Sequence, residues 1–205
     1  MSTSSPRRPS ELSGLWVQLV PVRPGNIPFL YNLAMDKQNN FRWKYHGAIV
    51  SMQEFERQLW SGILSQFVVV TTKNEKPIGH VVAYAADLHL GHVFLGGVFV
   101  PEVHGKGLSH EAFRIFMQYL QRNFRLRKCY FEFPSYNAAQ YPGSFRDLTE
   151  EACLKDHLYY DGRYWDMLIF STPLGRTYEG DQRASEETRA RDHAQPANGL
   201  PRGLG

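Results

Sequence analysis

The sequence predicts an α+β (α/β) fold, in which a central, mixed but mostly antiparallel, twisted sheet of about seven strands is flanked by about four helices. Three observations predict it. Apolar segments with strand or helix spacing follow each other in the order β, α, α, β, β, β, loop and helix, β, short α, β, β. A turn that contains two glycines joins a strand to a long amphipathic helix. The last two strands flank Asp161-Gly162, a pair that favours a tight hairpin.

The first elements are one strand and two helices. Alternating apolar residues predict a strand over Leu15–Val20, and helical spacing predicts a helix over Asn26–Met35 with Asn26 as its N-cap. Ser51 and Glu54 form a Ser-x-x-Glu capping signature for the second helix. The apolar face predicted for that helix consists of Met52, Phe55, Leu59, Trp60 and Ile63.

The remaining elements follow from the same periodicities. The predicted strands are Phe67–Val70, Ile78–Ala86, His92–Val100, Cys129–Phe133, Leu158–Tyr160 and Trp165–Ser171. The predicted helices are Leu108–Phe124 and a short one within Asn137–Leu148 that Pro142 interrupts. Gly96 and Gly97 interrupt the third of these strands, which indicates either a bulge or a close backbone approach.

Composition predicts one folded domain with a tail at each end. A chain of 205 residues with 42% hydrophobic residues has the size and composition of a single domain. Residues 1–13 are rich in Ser, Pro and Arg, and residues 175–205 contain almost no large apolar side chains. Neither segment can bury enough apolar surface to offset the entropy of ordering. Both are therefore predicted to be disordered, around a domain at 14–174.

Charge and hydropathy restrict the expected partners. A formal net charge of +3 is too small to indicate binding to nucleic acid. No apolar run approaches the ~20 residues of a membrane-spanning helix, and the first residues do not resemble a signal peptide. We therefore expect a cytoplasmic protein with no membrane partner, in which Cys129 and Cys153 form no disulfide.

The turn with two glycines is a candidate anion site. Gly105 and Gly107 stand between a strand and a helix, where glycine lets backbone N–H groups point into one concavity. The helix N-terminus adds free N–H groups and a partial positive charge, and His104 and Lys106 can add side-chain donors. This construction binds phosphate or pyrophosphate, although it is neither a Walker loop nor a dinucleotide fingerprint, whose third glycine is His110 here. The alternative is a plain connection.

The loop and the closing hairpin together resemble the GNAT superfamily of N-acetyltransferases. The acyl-CoA loop of that family reads Gln/Arg-x-x-Gly-x-Gly/Ala, and this chain reads Glu102-Val-His-Gly-Lys-Gly107, which departs from the family at its first residue. The segment Leu154–Phe170 is similar to the last hairpin of the ribosomal-protein N-terminal and polyamine acetyltransferase branches, where Gly-x-Tyr-x-Asp is common. The resemblance covers Leu15–Leu174.

The resemblance implies acetyl-CoA as the acyl donor and assigns residues to it. Val98, Phe99 and Val100 are implied to bind the pantetheine, mainly through the backbone of Val98 and Val100, with a backbone N–H near Val98 polarising the thioester carbonyl. The residues implied to hold the pyrophosphate are His104, Gly105, Lys106, Gly107, Leu108 and Ser109. Asn137 is implied as a further cofactor contact.

A general base is also implied. In one protein-N-terminal branch of the family, a Glu on the strand after the loop helix precedes an Asn by five residues, as Glu132 precedes Asn137 here. His80 and His92 are rival bases, because a histidine can accept a proton near neutral pH. The alternative for each of the three is a structural role in its strand. His89 and His92 do not indicate a metal site, because no third ligand lies nearby in the sequence.

The general acid stays open at this point. The family's Tyr follows the Asn by seven residues, where this chain has Ser144, and Tyr141 lies almost one turn earlier. A third alternative is that no acid is needed, because the leaving thiolate is already stable relative to an alkoxide.

The implied activity is transfer of an acetyl group from acetyl-CoA to a primary amine, on a small molecule or a protein N-terminus, by direct attack in a ternary complex. The aromatic and cationic segment Phe41–His46 is either one wall of the acceptor cleft or a surface loop. A non-catalytic acyl-CoA-binding or scaffold protein is the alternative function, and a homodimer is compatible with both.

Overall fold

The computed structural model describes residues 12–37, 39–41, 44–138 and 148–174. They belong to one compact unit that ends at Leu174. The strands are β1 (Val17–Pro21), β2 (Ile63–Thr71), β3 (Pro77–Asp87), β4 (His92–Phe99), β5 (Lys128–Pro134), β6 (Thr149–Tyr160) and β7 (Arg163–Pro173). The helices are α1 (Ile27–Met35), α2 (Met52–Gln58), α3 (Leu108–Asn123) and α4 (Ser135–Ala138), with 3₁₀ turns at Pro24–Asn26 and Pro101–Val103. The predicted class and order of elements are confirmed.

All the strands belong to one seven-stranded sheet in the order β1-β2-β3-β4-β5-β7-β6. Every neighbouring pair is antiparallel except β4 and β5, which are parallel. A parallel pair requires a crossover connection, and α3 supplies it between the end of β4 and the start of β5. The sheet is therefore mixed and mostly antiparallel, as predicted.

Helix α3 packs against one face of the sheet through aromatic side chains. Phe116 meets Phe67 edge to face with ring centroids 5.8 Å apart. Phe113 lies between two strands, with its ring centroid 6.2 Å from that of Phe99 and 6.0 Å from that of Phe131. Aromatic pairs at these distances contribute beyond their buried area. They fix α3 over β2 and over the region where β4 and β5 have separated.

Gly97 lies where α3 comes closest to β4. A Cβ atom on Gly97 would stand 2.7 Å from Phe113 Cζ and 3.1 Å from the carbonyl oxygen of His80. The register between β3 and β4 runs without a shift through Gly96 and Gly97. The predicted bulge is therefore wrong. The alternative, a close approach, is confirmed, and the nearest atoms belong to a phenyl ring.

Helices α1 and α2 cover the opposite face of the sheet. The buried cluster there consists of Ile27, Leu30, Leu33, Ala34, Phe55, Leu59, Val68, Val70 and Val98. Helix α2 ends at Gln58, before three of the residues that were predicted to form its apolar face. Met52 is 41% exposed and Trp60 is 56% exposed, so the prediction that both belong to the apolar face is wrong.

One of the two predicted helix caps forms. The Ser51 hydroxyl oxygen accepts a hydrogen bond from the Glu54 N–H at 3.2 Å, which confirms the N-cap of α2. Asn26 precedes α1 but makes no side-chain cap bond. Its Oδ1 instead accepts from the Arg23 N–H at 2.9 Å and closes the 3₁₀ turn that precedes the helix.

The parallel strands β4 and β5 separate after three paired residues. His92, Val93 and Phe94 pair with Lys128, Cys129 and Tyr130. Beyond that point β4 stays paired with β3 up to Phe99, and β5 stays paired with β7 up to Pro134. The facing edges, residues 95–99 and 131–134, therefore have backbone groups with no strand between them. We call this gap the β4–β5 opening.

The start of the domain and strand β6 differ from the predicted boundaries. Leu12 and Ser13 were assigned to the tail, but the Leu19 N–H donates to the Leu12 carbonyl oxygen, and Ser13 forms a bridge with Gln18. Strand β6 starts at Thr149 rather than Leu158. It lies at the edge of the sheet with mostly exposed residues and irregular register, so it lacks the alternation that marks a half-buried strand.

Part of the predicted short helix after β5 falls outside the described residues, because positions 139–147 are not among them. Among the helices that the structure describes, none is both long enough and apolar enough to span a bilayer.

Candidate active site

The loop between β4 and α3 has the backbone conformation that its glycines predict. The φ angle is +73° at Gly105 and +75° at Gly107, in the left-handed region that residues with a Cβ atom rarely adopt. A Cβ built on either glycine would meet nothing within 4 Å beyond its chain neighbours. Below them, the buried Val103 accepts a hydrogen bond from the Lys106 N–H. The loop is thus anchored at its base and has a free backbone surface at its tip.

Helix α3 begins directly after this loop, with Gly107 at its N-cap. The Glu111 N–H donates to the Gly107 carbonyl oxygen, so the amides of Leu108, Ser109 and His110 precede the first bonded turn of the helix. The peptide dipoles of its 16 residues sum to a partial positive charge at this end. Free N–H groups and this charge together favour an anion at the loop.

The loop side chains are arranged around that backbone surface. His104 and Lys106 are exposed, and Leu108 and Ser109 are half-buried. Glu102 lies in the preceding 3₁₀ turn and is also exposed. An acidic residue here lowers the positive charge beside the loop, so the N–H groups and the helix dipole must provide most of the attraction for an anion.

The backbone groups that face the β4–β5 opening can be assigned from the β3–β4 pairing. Opposed residues of an antiparallel pair alternate between hydrogen-bonded and non-hydrogen-bonded positions. The Val100 N–H donates to the Ile78 carbonyl oxygen at 2.9 Å, so Val100 and Val98 direct their backbone groups toward β3. The groups of Gly97 and Phe99 face the opening. Of the three predicted contacts, Phe99 therefore faces the opening, and the prediction that the Val98 and Val100 amides are available to a ligand is wrong by one residue.

Glu132 stands on β5 beside the opening, on the face covered by α1 and α2. Its carboxylate is exposed, and Oε2 accepts a hydrogen bond from the Tyr84 hydroxyl at 2.9 Å. Burial, and next the Glu132 charge, raise the pKa of Tyr84 well above its ordinary value, so Tyr84 remains the donor. The sequence predicts Glu132 as a site residue but not Tyr84, its hydrogen-bond partner on β3.

His80 lies opposite Val98 on the same face and is almost fully buried. Its Nε2 is 2.9 Å from Oε1 of Gln66, whose amide nitrogen donates to the Leu59 carbonyl oxygen at 3.1 Å. Burial, and next the charge of Lys44, lower the pKa of His80 to about 3. Such an imidazole is a poor base. Its contacts connect β2 and β3 to the segment after α2, so the structure favours the structural role.

His92 begins β4, at the strand end remote from the glycine loop. It is seven residues from Phe99, or about 23 Å at 3.3 Å per residue of strand. Its ring contacts the Tyr130 ring edge to face at 5.6 Å. The structure therefore does not bring His92 together with the loop or Glu132. Within the described ranges, no group of three or more His, Cys, Asp or Glu side chains could hold a metal ion.

Asn137 lies in α4, directly after β5, and is 7% exposed. Its buried Oδ1 has no hydrogen-bond partner among the described residues. A buried amide oxygen without a partner is costly, so its donor lies outside the described residues. Tyr141 and Ser144, the two residues considered for the general acid, lie outside the described residues.

A cluster of aromatic residues at the end of β5 was not predicted as a unit. The Phe41 and Tyr160 rings stack at 5.5 Å, and Tyr136 lies 5.6 Å from Phe41 and 5.1 Å from both Tyr160 and Trp165. The Arg163 guanidinium lies 3.5 Å above the Trp165 ring. The Tyr136 hydroxyl also donates to the Phe41 carbonyl oxygen at 2.7 Å. The cluster joins the α1–α2 loop, α4 and the closing hairpin just beyond the end of β5.

No protein-family model matches this chain, and no curated protein sequence matches it. Solved structures do. A spermidine N-acetyltransferase from Vibrio cholerae, crystallised with CoA and spermine, superposes with a TM-score of 0.68 at 19% identity, over 78% of this chain and 96% of that one. The fold is the GNAT fold. The ribosomal-protein α-N-acetyltransferase RimL, in complex with coenzyme A, gives a TM-score of 0.66 at 16% identity, over 80% and 97% of the two chains.

These likenesses confirm the architecture that the GNAT resemblance implied. They span nearly the full length of the solved structures. Both structures contain CoA. At this level of identity the likeness establishes the fold, and the reaction must be argued from the side chains and backbone groups of this chain.

Proposed function

We propose that this protein is an acyl-CoA-dependent N-acetyltransferase that moves an acetyl group from acetyl-CoA to a primary amine by direct attack in a ternary complex. The observation that carries the proposal is the β4–β5 opening with the glycine loop at its end. The opening offers the backbone groups of Gly97 and Phe99, which pair with none of the described strands, and the loop offers an anion site directly after the same strand. A ligand with a diphosphate at one end and an amide-containing arm fits both.

The donor side of the site consists mainly of backbone. The amides that begin α3, with those of Gly105 and Gly107, would hold the diphosphate. Gly97 and Phe99 would pair with the pantetheine amides as a neighbouring strand does. One of their N–H groups would also donate to the thioester oxygen as negative charge develops on it. Asn137 Oδ1, to which none of the described residues donates, would accept from a donor group of the same arm.

The acceptor side consists of side chains. Acetyl-CoA supplies the thioester, and the amine must lose a proton to attack it. Glu132 would take that proton directly or through a water. Attack forms the N–C bond, and collapse of the tetrahedral species breaks the C–S bond and releases CoA as the thiolate, which then takes a proton. The aromatic cluster beyond the end of β5 would form one wall for the acceptor.

The experiment is a thiol-release assay with acetyl-CoA over a panel of small amines and peptides. The wild type should release CoA with at least one acceptor. Glu132→Gln should lower kcat by about 10²–10⁴-fold and leave CoA binding in calorimetry unchanged. Binding of CoA without turnover on any acceptor would instead support the non-catalytic scaffold. An unchanged kcat in the variant would return Glu132 to a structural role.

The acceptor, the location in the cell and the oligomeric state stay predictions. The solved relatives are named for a polyamine and for a ribosomal protein, so both acceptor classes belong in the panel. The domain limits also stay a proposal, with the folded unit at 14–174 extended to include the contacts of Leu12 and Ser13.

A further inference from the structure

The hydrogen bond between Tyr84 and Glu132 spans the β4–β5 opening. Tyr84 lies on β3 and Glu132 on β5, and their side chains meet over β4, which runs between those strands. The donor and the acceptor are 48 residues apart in the sequence. The hydrogen bond therefore connects the two halves of the sheet on the face covered by α1 and α2, where β4 and β5 have already separated.

The Tyr84 ring is held in place by its neighbours. It is paired across the strands with Phe94, and the ring centroids are 5.8 Å apart. Gly96, two residues after Phe94 on β4, lies next to the same ring, since a Cβ atom there would stand 3.6 Å from Tyr84 Cε1. Phe94 in turn stacks on Tyr130 at 5.2 Å. The phenol therefore reaches Glu132 from a packed row of rings, while Gly96 leaves space beside it.

We propose that Tyr84 is a positioning residue that orients the Glu132 carboxylate toward the acceptor amine. The inference rests on the proposed function. Tyr84 donates to Oε2, which leaves Oε1 as the oxygen that accepts the proton of the amine. A carboxylate that accepts one fixed hydrogen bond loses rotational freedom, and catalytic groups must be held within small angular limits. Tyr84 transfers no proton in this scheme, because burial keeps its hydroxyl protonated.

The chain offers a matched control. Tyr130 belongs to the same row of rings on the same face, and its ring lies under the Lys128 ammonium at 5.1 Å. Tyr84→Phe and Tyr130→Phe each remove one hydroxyl from that row. Only the first removes a donor to Glu132.

The first measurement does not depend on activity. With tyrosine labelled at ¹³Cζ, the resonance of Tyr84 is assigned by its loss in Tyr84→Phe. At neutral pH it should move in Glu132→Ala, while the resonance of Tyr130 should not. A Tyr84 resonance that stays in place when the carboxylate is removed would overturn the inference.

The second measurement is turnover. Tyr84→Phe should lower kcat roughly 10-fold, as expected for loss of a hydrogen bond to a charged group. The KM for acetyl-CoA should stay unchanged, and Tyr130→Phe should match the wild type in both. Equal kcat in Tyr84→Phe and wild type would refute the positioning role. Failure of the proposed function is a different result, because the wild type would then release no CoA with any amine.

Discussion

A carboxylate in the first turn of α3 holds the N-terminal segment of the chain. Glu111 Oε1 accepts from the Leu15 N–H at 2.7 Å, and Oε2 accepts from the Trp16 and Val17 N–H groups at 3.0 and 3.1 Å. This turn is also the start of the proposed anion site. We expect Glu111→Ala to destabilise the protein, because it removes all three bonds at once.

The size of the expected loss in stability follows from how exposed the three N–H donors are. Leu15 and Trp16 are 71% and 63% exposed, so water can replace their bonds at small cost. Val17 is fully buried, and a buried N–H left without a partner costs about 1–3 kcal/mol. With smaller losses from the two exposed bonds, the free energy of unfolding should fall by about 2–4 kcal/mol.

Urea unfolding of the wild type and of Glu111→Ala measures the loss in the free energy of unfolding, and amide exchange at Val17 shows whether the buried hydrogen bond is the one that is lost. Glu56→Ala is the control, since Glu56 is an exposed helix residue expected to change stability by less than about 0.5 kcal/mol. Gly14→Ala tests the same contact from the other side, because its Cβ would stand 2.6 Å from Glu111 Oε1. The double variant should lose less than the sum. A Glu111→Ala value within the range of the control would refute the reasoning.

Three further predictions concern the loop, a buried histidine and the tails. Gly105→Val places a β-branched residue at φ +73°, so CoA affinity in calorimetry should fall at least 10-fold, and equal affinity would contradict the anion site. His80 has a pKa of about 3 when folded and near 6.5 when unfolded, so the unfolded state binds more protons below pH 6.5. Stability should therefore fall by roughly 2–3 kcal/mol between pH 6.5 and 4.5, and His80→Gln should lack that loss in paired urea titrations. A chain trimmed to 12–174 should keep the melting temperature of the full chain within about 2 °C, and a larger drop would show that the tails contribute to the fold.

The fold and the conformation of the glycine loop were predictable because their signals are local. The two glycines, the strand before them and the helix after them are contiguous in the sequence, and the structure keeps that order. The resemblance also directed attention to Glu132 and Asn137, which the structure places at the end of β5 and in α4. Periodicity failed where an element is short or at an edge: it extended the apolar face of α2 to Trp60, and it missed most of β6.

What the sequence did not reveal depends on strand pairing. Tyr84 reaches Glu132 only because two strands place them on one face, and no spacing in the sequence encodes that contact. The same limit explains the one-residue error at Val98 and Val100. The side of β4 on which an amide lies follows from its hydrogen bonds to β3, and one bond to Ile78 decides the direction of every second residue.

Gly96 and Gly97 are adjacent on β4 but face opposite sides of the sheet, so alanine should have a different effect at each of them. A Cβ on Gly97 would stand 2.7 Å from Phe113 Cζ, under the ring that fixes α3, so Gly97→Ala should lower the free energy of unfolding by about 1–3 kcal/mol. A Cβ on Gly96 would meet Val82 and Tyr84 only at ordinary contact distances of 3.5 and 3.6 Å.

Gly96→Ala should therefore fold with nearly wild-type stability. Its methyl group would fill the space beside the Tyr84 ring, whose hydroxyl holds Glu132, so the KM for the amine should rise while the affinity for CoA stays unchanged. Urea unfolding and steady-state kinetics on the two variants separate these effects. Adjacent residues of a strand face opposite sides of the sheet, and only Gly97 contacts α3, so the two variants should differ in stability. Equal losses of stability in both would contradict this reasoning and would mean that Gly96 is needed for packing.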